Sequence, residues 1–398
     1  MKDPIYLDNN ATTVIDPDVA AAMHECLLAG YANPASQHRA GQRARAVLED
    51  ARERIAGILN IDVSSPSADR LIFTSGGTEA NNLAIRGLGK TSAKAGRFVL
   101  VSSIEHPSVL KSAKDLSPQD TVEIISTDTS GVVRLDDLEH RLRNAGHEVS
   151  VVSVMWGNNE TGVVQPIDAI GGICRGVGIG SRSVLFHTDA VQAVGKTELN
   201  FQDSPADAMT VSAHKLHGPC GIGALAIKKG VKLSPLLFGG SQQLGLRPGT
   251  ESVALAVGMA VAVEKWHSDL TDRMEKIRQL RDLFERLLKE LLDDLQINGE
   301  SVDRLPHTSN VSFLGVDRQA LLMALDFAGI QCSTGSACES GSSKPSHVLV
   351  AMVLPDEVIS SAIRFSLSAT TTKAEILEAA RLISKSVKGL RDRKSRSF

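Results

Sequence analysis

Residues 71–87 read LIFTSGGTEANNLAIRG, in which a strand-like apolar run is followed by two adjacent glycines and then by a helical pattern. Further β-branched apolar runs alternate with helical patterns between about residues 70 and 230. These runs lie at 98–101, 122–125, 149–155, 184–186 and 222–227. Such alternation is typical of a mostly parallel sheet covered by helices. The sequence therefore predicts a large α/β domain.

The pattern changes after residue 252. Apolar residues recur at three- and four-residue steps from Val263 to Leu295, which predicts one long amphipathic helix. It should lead into a smaller α+β domain with short strands near 311–313 and 362–366. We expect a large domain over 16–255 and a small domain formed by 1–15 with 256–398. The basic tail, 385–398, lacks an apolar period and is predicted to be a frayed, solvated end.

Composition excludes several classes of protein. The 398 residues carry 43 Lys and Arg against 46 Asp and Glu, a net charge of −3, which argues against binding nucleic acid or membranes by bulk charge. The longest apolar run, 253–263, is too short to span a bilayer. The five scattered cysteines predict neither a disulfide framework nor a metal site. With no signal pattern at the start, they favour a cytoplasmic protein.

Residues 74–82, TSGGTEANN, follow a predicted strand and open a predicted helix. Glycines allow the backbone to close on an anion, and a helix N-terminus offers unpaired N–H groups and a positive dipole end. The segment therefore predicts a phosphate site, with an ordinary capped turn as the alternative. It lacks the Lys-Ser/Thr ending of a nucleotide-binding P-loop.

Two further segments carry charged groups at strand ends. Lys215 lies in SAHKLHGP, 212–219, between an apolar strand and a Gly-Pro turn, where a neutral or imine-linked amine is favoured over an ammonium. Asp189 ends another predicted strand, where open α/β sheets place ligand-binding groups. A phosphate cradle, a lysine able to form a Schiff base and an aspartate able to pair with a pyridinium are what pyridoxal 5′-phosphate requires.

Motifs along nearly the whole chain then point to a known family. The chain resembles cysteine desulfurases of the NifS/IscS type, which are fold-type I pyridoxal-phosphate enzymes of the class V aminotransferase superfamily. The motifs are 6–13 (YLDNNATT), 33–36 (NPAS), 74–82, 105–108 (EHPS), 158–162 (NNETG), 187–192 (HTDAVQ), 212–219, 247–251 (RPGTE), 333–338 (STGSAC) and 363–367 (IRFSL).

The resemblance implies roles for particular residues. Lys215 would hold the cofactor and shuttle the substrate α-proton, and Asp189 would face the pyridine nitrogen. Gln192 would face the ring hydroxyl and His106 would stack on the ring. The phosphate group would lie among a set of small and polar residues: Gly77, Thr78, Ser212 and His214, with Thr250 contributed by the second subunit of a homodimer. Asn159, beside the cofactor, and Arg364 would bind the carboxylate of L-cysteine.

Cys338 lies within 333–346, a stretch of small and polar residues that predicts a mobile loop. A cysteine there can attack the substrate sulfur and then move outward, so the resemblance implies alanine and a persulfide on Cys338 as products. An iron–sulfur scaffold or another acceptor protein would receive the sulfur. Whether Cys338 transiently ligates a cluster is left open. Cys332, at the end of an apolar stretch, is interpreted as structural.

Three alternatives remain open at this stage. A selenocysteine lyase or a class V aminotransferase would use the same scaffold, and a non-catalytic adaptor would keep the fold alone. The intact Lys215, Asp189 and Cys338 argue against the adaptor. Two positions depart from the family pattern, since Cys220 replaces a basic residue and Val353 replaces a glycine.

Overall fold

A computed structural model of the chain describes residues 4–65, 67–89, 96–145, 149–176, 184–335 and 344–395. Cys338 and most of the predicted loop 333–346 lie outside these residues.

The described residues contain strands that are mostly five residues long. They are β1 (Ile5–Tyr6), β2 (Arg70–Thr74), β3 (Phe98–Ser102), β4 (Thr121–Ile125), β5 (Val149–Ser153), β6 (Leu185–Asp189), β7 (Ala208–Ser212), β8 (Gly223–Ile227), β9 (Leu295–Ile297), β10 (Thr308–Phe313), β11 (Ile330–Gln331) and β12 (Ala362–Ser366).

The helices vary more in length. They are α1 (Pro17–Leu28), α2 (Arg39–Leu59), α3 (Gly77–Gly87), α4 (Pro107–Lys114), α5 (Leu135–Ala145), α6 (Ile167–Gly176), α7 (Val253–Ser268), α8 (Leu270–Leu291), α9 (Arg318–Phe327), α10 (His347–Ala351), α11 (Asp356–Ser360) and α12 (Lys373–Ser395).

A seven-stranded sheet forms the centre of the larger unit, in the order β2-β8-β7-β6-β5-β3-β4. Strand β8 runs antiparallel to both of its neighbours, and the other pairs are parallel. Strands β7 and β8 are buried along their whole length, as expected of apolar strands covered on both faces. The parallel arrangement places the carboxyl ends of β5, β6 and β7 at one edge, which is where the polar motifs follow.

The smaller unit has an antiparallel sheet in the order β12-β10-β9, and β1 pairs in parallel with β11. Helix α8 packs against α12, while α7 packs against α1 and α2. The predicted architecture, a mostly parallel large sheet with a smaller α+β unit, is therefore confirmed. The predicted domain boundaries stay a prediction.

The single long helix predicted across 263–295 is wrong. It is two helices, α7 and α8, which meet at Asp269, where the backbone leaves helical geometry at φ −138° and ψ 37°. Trp266 at the end of α7 stacks on His217 of the large unit. Helix α7 packs on α1 and α2 whereas α8 packs on α12, so the break at Asp269 separates two packing environments.

The frayed tail predicted from residue 385 is also wrong over the described residues. Helix α12 continues to Ser395. Val387 is fully buried, and the Arg391 guanidinium donates hydrogen bonds to the carbonyls of Asp293, Asp294 and Leu314. The basic sequence of this segment gave no sign of the helix, which is held by these hydrogen bonds to backbone carbonyls. Among the described residues, no helix is both long and apolar enough to span a membrane.

Candidate active site

One cavity of about 520 Å³ lies at the carboxyl ends of β6 and β7. Its wall contains ten of the residues predicted from sequence: Gly77, Thr78, His106, Asn159, Asp189, Gln192, Ser212, His214, Lys215 and Arg364. The structure thus brings together residues separated by up to 287 positions along the chain. Two predicted residues are not placed there. Thr250 is exposed and does not line the cavity of its own chain, and Cys338 lies outside the described residues.

The phosphate cradle is built from the turn between β2 and α3. Gly76 adopts φ +153°, which side-chain-bearing residues rarely adopt, and α3 begins at the next residue. The first N–H groups of a helix have no intrahelical partner and favour an anion. Ser212 Oγ, in the same wall, is buried without a hydrogen-bond partner among the described residues. A phosphate group would satisfy these donors, so the cradle fits the cofactor.

Asp189 is held in place by a short hydrogen-bonded chain. Its Oδ2 accepts from Asn81 Nδ2 at 2.6 Å, and its Oδ1 accepts from the Val191 N–H at 2.9 Å. Asn81 Nδ2 also donates to Ser108 Oγ, which lies 2.7 Å from His106 Nδ1. The carboxylate and the imidazole are therefore oriented by the same pair of side chains, Asn81 and Ser108.

Lys215 follows β7 in a single turn of 3₁₀ helix, Ala213–Lys215. Its Nζ donates to the carbonyls of Asn10 and Ala11, both at 2.6 Å. Gln192 Nε2 donates to the same Asn10 carbonyl, and the buried Gln192 Oε1 has no partner among the described residues. An unpaired amide oxygen in the wall fits a ring hydroxyl. The N-terminal segment thus positions both side chains.

Two of the wall histidines, His106 and His214, are held neutral by burial. Burial and then the positive charges of Lys215 and Lys196 lower the pKa of His214 to about 4. Burial also lowers the pKa of His106, although the carboxylate of Asp189 opposes this effect. A neutral His106 ring can stack on an aromatic cofactor without repelling a protonated pyridine.

Arg364 is almost completely buried on β12. Its Nη2 forms an ion pair with Asp8 Oδ1 at 2.6 Å, and its Nη1 donates to the carbonyls of Asn159 and Gly335, each at 3.1 Å. Its Nε is buried without a partner among the described residues. A buried guanidinium with an unused N–H provides a site for a carboxylate.

Residues on both sides of the undescribed segment 336–343 are anchored near this site. Ser346 Oγ donates to Glu160 Oε2 at 2.6 Å, and Arg318 Nη2 donates to the Lys344 carbonyl. Gly335, at the other side, is held by Arg364. Gly335 and His347, which flank the segment that contains Cys338, both line the cavity.

Several wall residues were not assigned a role from the sequence. Asn10, Asn81 and Ser108 lie within motifs that were recognised, and their polar side chains beside assigned residues were the available signal. His347 also lines the cavity, and nothing in its local pattern marked it. Cys220 lies in the wall too, with an exposed side chain. Burial of Cys332 raises the pKa of its thiol far above the usual range, which agrees with a structural role.

Comparison with known proteins agrees with this geometry. The aminotransferase class-V family profile matches residues 5–378. A protein named cysteine desulfurase from Nostoc sp. is 42% identical over 373 residues, covering 94% of this chain and 90% of that one.

Solved structures are similar as well. A NifS-like protein from Rickettsia africae has a TM-score of 0.85 at 32% identity, covering 97% of this chain and 99% of that one. A protein described as SspA in complex with cysteine has a TM-score of 0.78 at 31% identity, covering 92% and 99%. The predicted resemblance is confirmed. The chain belongs to the aminotransferase class-V family, whose cysteine desulfurase members depend on pyridoxal 5′-phosphate.

Proposed function

We propose that this protein is a cysteine desulfurase, which removes sulfur from L-cysteine and releases L-alanine. The observation that carries the proposal is the presence of Lys215, Asp189 and Arg364 in the wall of one cavity, with a phosphate cradle beside them. The name of the Nostoc relative and the cysteine complex of the SspA structure support the choice of substrate.

The residues predicted from the sequence each have a role in this proposal. Arg364 and Asn159 bind the substrate carboxylate, and Lys215 Nζ holds the cofactor and then moves the substrate α-proton. Asp189, oriented by Asn81, holds the ring nitrogen. The bound cofactor supplies an aldehyde for the substrate amine and an electron sink for the bonds to be broken. The remaining contacts come from residues assigned to the ring and phosphate: Gly77, Thr78, His106, Gln192, Ser212, His214 and Thr250.

The proposal assigns the sulfur transfer to Cys338. Its thiolate attacks the sulfur of L-cysteine, an S–S bond forms, and the C–S bond breaks with its electron pair remaining on carbon. Cys338 then carries a persulfide, which passes to an iron–sulfur scaffold or another acceptor protein. The support is the sequence of small and polar residues around Cys338 and the anchoring of both flanks at the cavity.

A homodimer is part of the proposal. Thr250 is exposed, and the segment before it carries exposed apolar side chains, Leu237, Phe238 and Leu244. Such a surface suits a second copy whose cavity would receive Thr250. We also propose a cytoplasmic location, which the spacing of the five cysteines supports.

The test combines absorbance with product analysis. The purified protein should be yellow, and on adding L-cysteine with reductant it should release sulfide and alanine in equal amounts. Lys215→Ala should lose the band of the lysine-bound cofactor. Cys338→Ala should keep that band and lose product formation by about 100-fold or more. Full sulfur release by Cys338→Ala would refute the persulfide route.

Other activities are separated by the same assay. Turnover of L-selenocysteine with none of L-cysteine would indicate a lyase, and turnover of amino-donor and keto-acid pairs would indicate an aminotransferase. A colourless protein that cannot be reconstituted with cofactor would indicate an adaptor. His24→Gln, an exposed change on α1, serves as the control and should match the unchanged protein.

A further inference from the structure

Glu79 places a negative charge in the wall of the cavity, beside the cradle assigned to a phosphate group. It lies in the first turn of α3, and its side chain is 19% exposed. Burial acts to raise the pKa of its carboxyl, but hydrogen bonds from Arg247 and Ser75 outweigh burial, so the pKa is lowered and the group is ionised at neutral pH. A phosphate group carries charge of the same sign, so the proposed function leaves a repulsion here to be explained.

The carboxylate of Glu79 fixes the turn that forms the cradle. Its Oε2 accepts the backbone N–H of Ser75 at 2.6 Å. Ser75 immediately precedes Gly76, whose φ of +153° sets the entry into α3. The carboxylate thus binds the N–H just before the cradle, and the N–H groups of Gly77 and Thr78, in the first turn of the helix, have no intrahelical partner and suit a second anion.

Arg247 neutralises this carboxylate. Its Nε donates to Glu79 Oε1 at 2.8 Å and its Nη2 donates to Glu79 Oε2 at 3.2 Å, so the guanidinium binds both oxygens. The Arg247 side chain is 22% exposed, so solvent and salt screen the pair less than they screen a fully exposed one. Among the residues that the structure describes, Glu79 lines the cavity and Arg247 does not. Arg247 therefore acts on a bound phosphate through Glu79 rather than by contact.

We infer that Arg247 is a positioning residue for the cofactor phosphate, which neutralises Glu79 and holds its carboxylate on the Ser75 N–H. The inference rests on the proposed function and deepens it. The carboxylate fixes the turn of the cradle, and the guanidinium offsets the repulsion that the carboxylate would otherwise exert on the phosphate. The cradle can then bind an anion although its wall contains one.

A second effect of Arg247 has to be separated from this one. Segment 247–251 is held at its other end by Glu251, whose Oε1 lies 3.4 Å from Arg52 Nη2. Thr250, which the proposed function assigns to the phosphate of a second subunit, lies between the two ion pairs. Loss of Arg247 frees one end of this segment, and a displaced Thr250 would also weaken cofactor binding. Changing Glu79 removes the repulsion but does not restore the segment, so a double variant distinguishes the two effects.

The test compares two ligands that differ only in the phosphate group. The full-length protein, freed of cofactor with hydroxylamine, is titrated with pyridoxal 5′-phosphate and with pyridoxal, and the absorbance band of the lysine-bound form gives each Kd. We expect Arg247→Met to weaken binding of pyridoxal 5′-phosphate about tenfold or more, and binding of pyridoxal less than about twofold. Combining it with Glu79→Gln should return both values to within about threefold of the unchanged protein, because glutamine can still accept the Ser75 N–H without a charge.

Arg54→Met is the matched control. Arg54 binds Glu264 through the same two nitrogens, Nε and Nη2, each at 2.6 Å. Among the described residues, neither Arg54 nor Glu264 lines the cavity. Arg54→Met therefore removes an ion pair of the same geometry at a distant place, and it should leave the Kd of both ligands unchanged.

Two results would overturn the inference. One is a change in Kd that is equal for the two ligands to within about threefold, which a merely structural role predicts. The other is a double variant as weak as Arg247→Met, which would assign the effect to Thr250. If Arg247→Met shows no cooperative urea transition, Glu79→Gln alone decides the question. Retained affinity for pyridoxal 5′-phosphate supports the inference, and a loss above about threefold overturns it, because the carboxylate itself would then be required.

Failure of the proposed function would look different. If the unchanged protein does not bind pyridoxal 5′-phosphate at all, the cofactor on which the proposed function depends is refuted. If the protein binds it with the expected pattern among the variants but forms no alanine from L-cysteine, the proposed function is refuted and the role of Arg247 stands.

Discussion

Val353 has a backbone conformation that its side chain disfavours. Its φ is +55°, in the left-handed region, and its β-branched side chain is 77% exposed. Left-handed geometry crowds the Cβ against the backbone, and a valine has no rotamer that relieves this. The position follows α10, where a helix commonly ends on a left-handed residue, usually glycine. The glycine expected there from the family pattern is thus explained by the turn.

Replacing Val353 by Gly should stabilise the protein. Relief of the backbone strain should exceed the entropy that glycine gains in the unfolded chain, for a net gain of about 0.5–1 kcal/mol in the free energy of unfolding. The midpoint of urea denaturation measures it. Val350→Gly is the control, since Val350 lies within α10 and is 51% exposed, and it should lose stability by a similar amount. A destabilised Val353→Gly would contradict the explanation.

Glu105 should make stability depend on pH. Burial raises the pKa of its carboxyl from 4.5 to about 8, while its Oε1 accepts hydrogen bonds from Ser102 Oγ and the Met155 N–H. Between these two pH values the folded protein retains a proton that the unfolded chain releases. Its contribution to stability is therefore full below pH 4.5 and is lost as the pH rises to about 8.

Glu105→Gln should remove this dependence, because the amide is neutral at every pH and nearly the same shape. Relative to the unchanged protein, the variant should gain stability steadily from about pH 5 to about pH 8, as measured by urea denaturation. Glu290→Gln changes an exposed carboxyl on α8, so its difference from the unchanged protein should stay constant. A constant difference for Glu105→Gln as well would mean that Glu105 is ionised in the folded state.

At the scale of elements, the Arg391 side chain anchors the end of α12. Arg391 donates to three backbone carbonyls in the connections after α8 and β10. Arg391→Ala should lower the free energy of unfolding by about 1–2 kcal/mol, because those carbonyls lose a charged donor. Arg381→Ala, on the same helix but with only an exposed ion pair to Glu378, should change it by less than about 0.5 kcal/mol. Equal effects would contradict the anchoring role.

Local pattern predicted some elements well and others poorly. The apolar runs before Gly76 and Asp189 form β2 and β6, as predicted. The spacing of apolar residues and the flanking turns are local signals that act within a few residues. The break at Asp269 depends on what α7 and α8 each pack against. The three- and four-residue spacing of apolar residues continues through it. The helical tail depends on carbonyls about 80–100 residues away from Arg391. Neither effect leaves a local mark in the sequence.

At the scale of the whole molecule, the surface around Phe238 should hold two copies together. Phe238→Asp should produce a monomer in sedimentation velocity, because the dimer would have to bury the aspartate charge in an apolar contact. That monomer should also bind the cofactor more weakly, since Thr250 of the second subunit would no longer reach the phosphate. Phe327→Asp is a matched control, because both phenylalanines are 88% exposed and Phe327 lies on α9, and it should remain a dimer. A dimeric Phe238→Asp would place the interface elsewhere.

Site residues were predictable where their own motif indicates their chemistry. They were missed where a distant part of the chain provides the hydrogen-bond partner. Lys215 and Asp189 stand beside strands and turns that explain them. Asn10 became part of the site only because a segment near the N-terminus lies against the loop after β7. Assigning His347 to the site required the knowledge that the Glu105 carbonyl lies 2.9 Å from its ring, a contact across 242 residues.

The ion pair between Asp8 and Arg364 joins a segment near the N-terminus to β12, and Ser366 Oγ accepts the Asn10 N–H. Lys215 Nζ in turn donates a hydrogen bond to the carbonyl of Asn10. During synthesis on a ribosome, the large sheet can form while these N-terminal residues still lack their partners. The cofactor pocket can be completed only after β12 has left the exit tunnel. A chain stopped before that point could contain every residue of the phosphate cradle and still lack the arginine assigned to the substrate carboxylate.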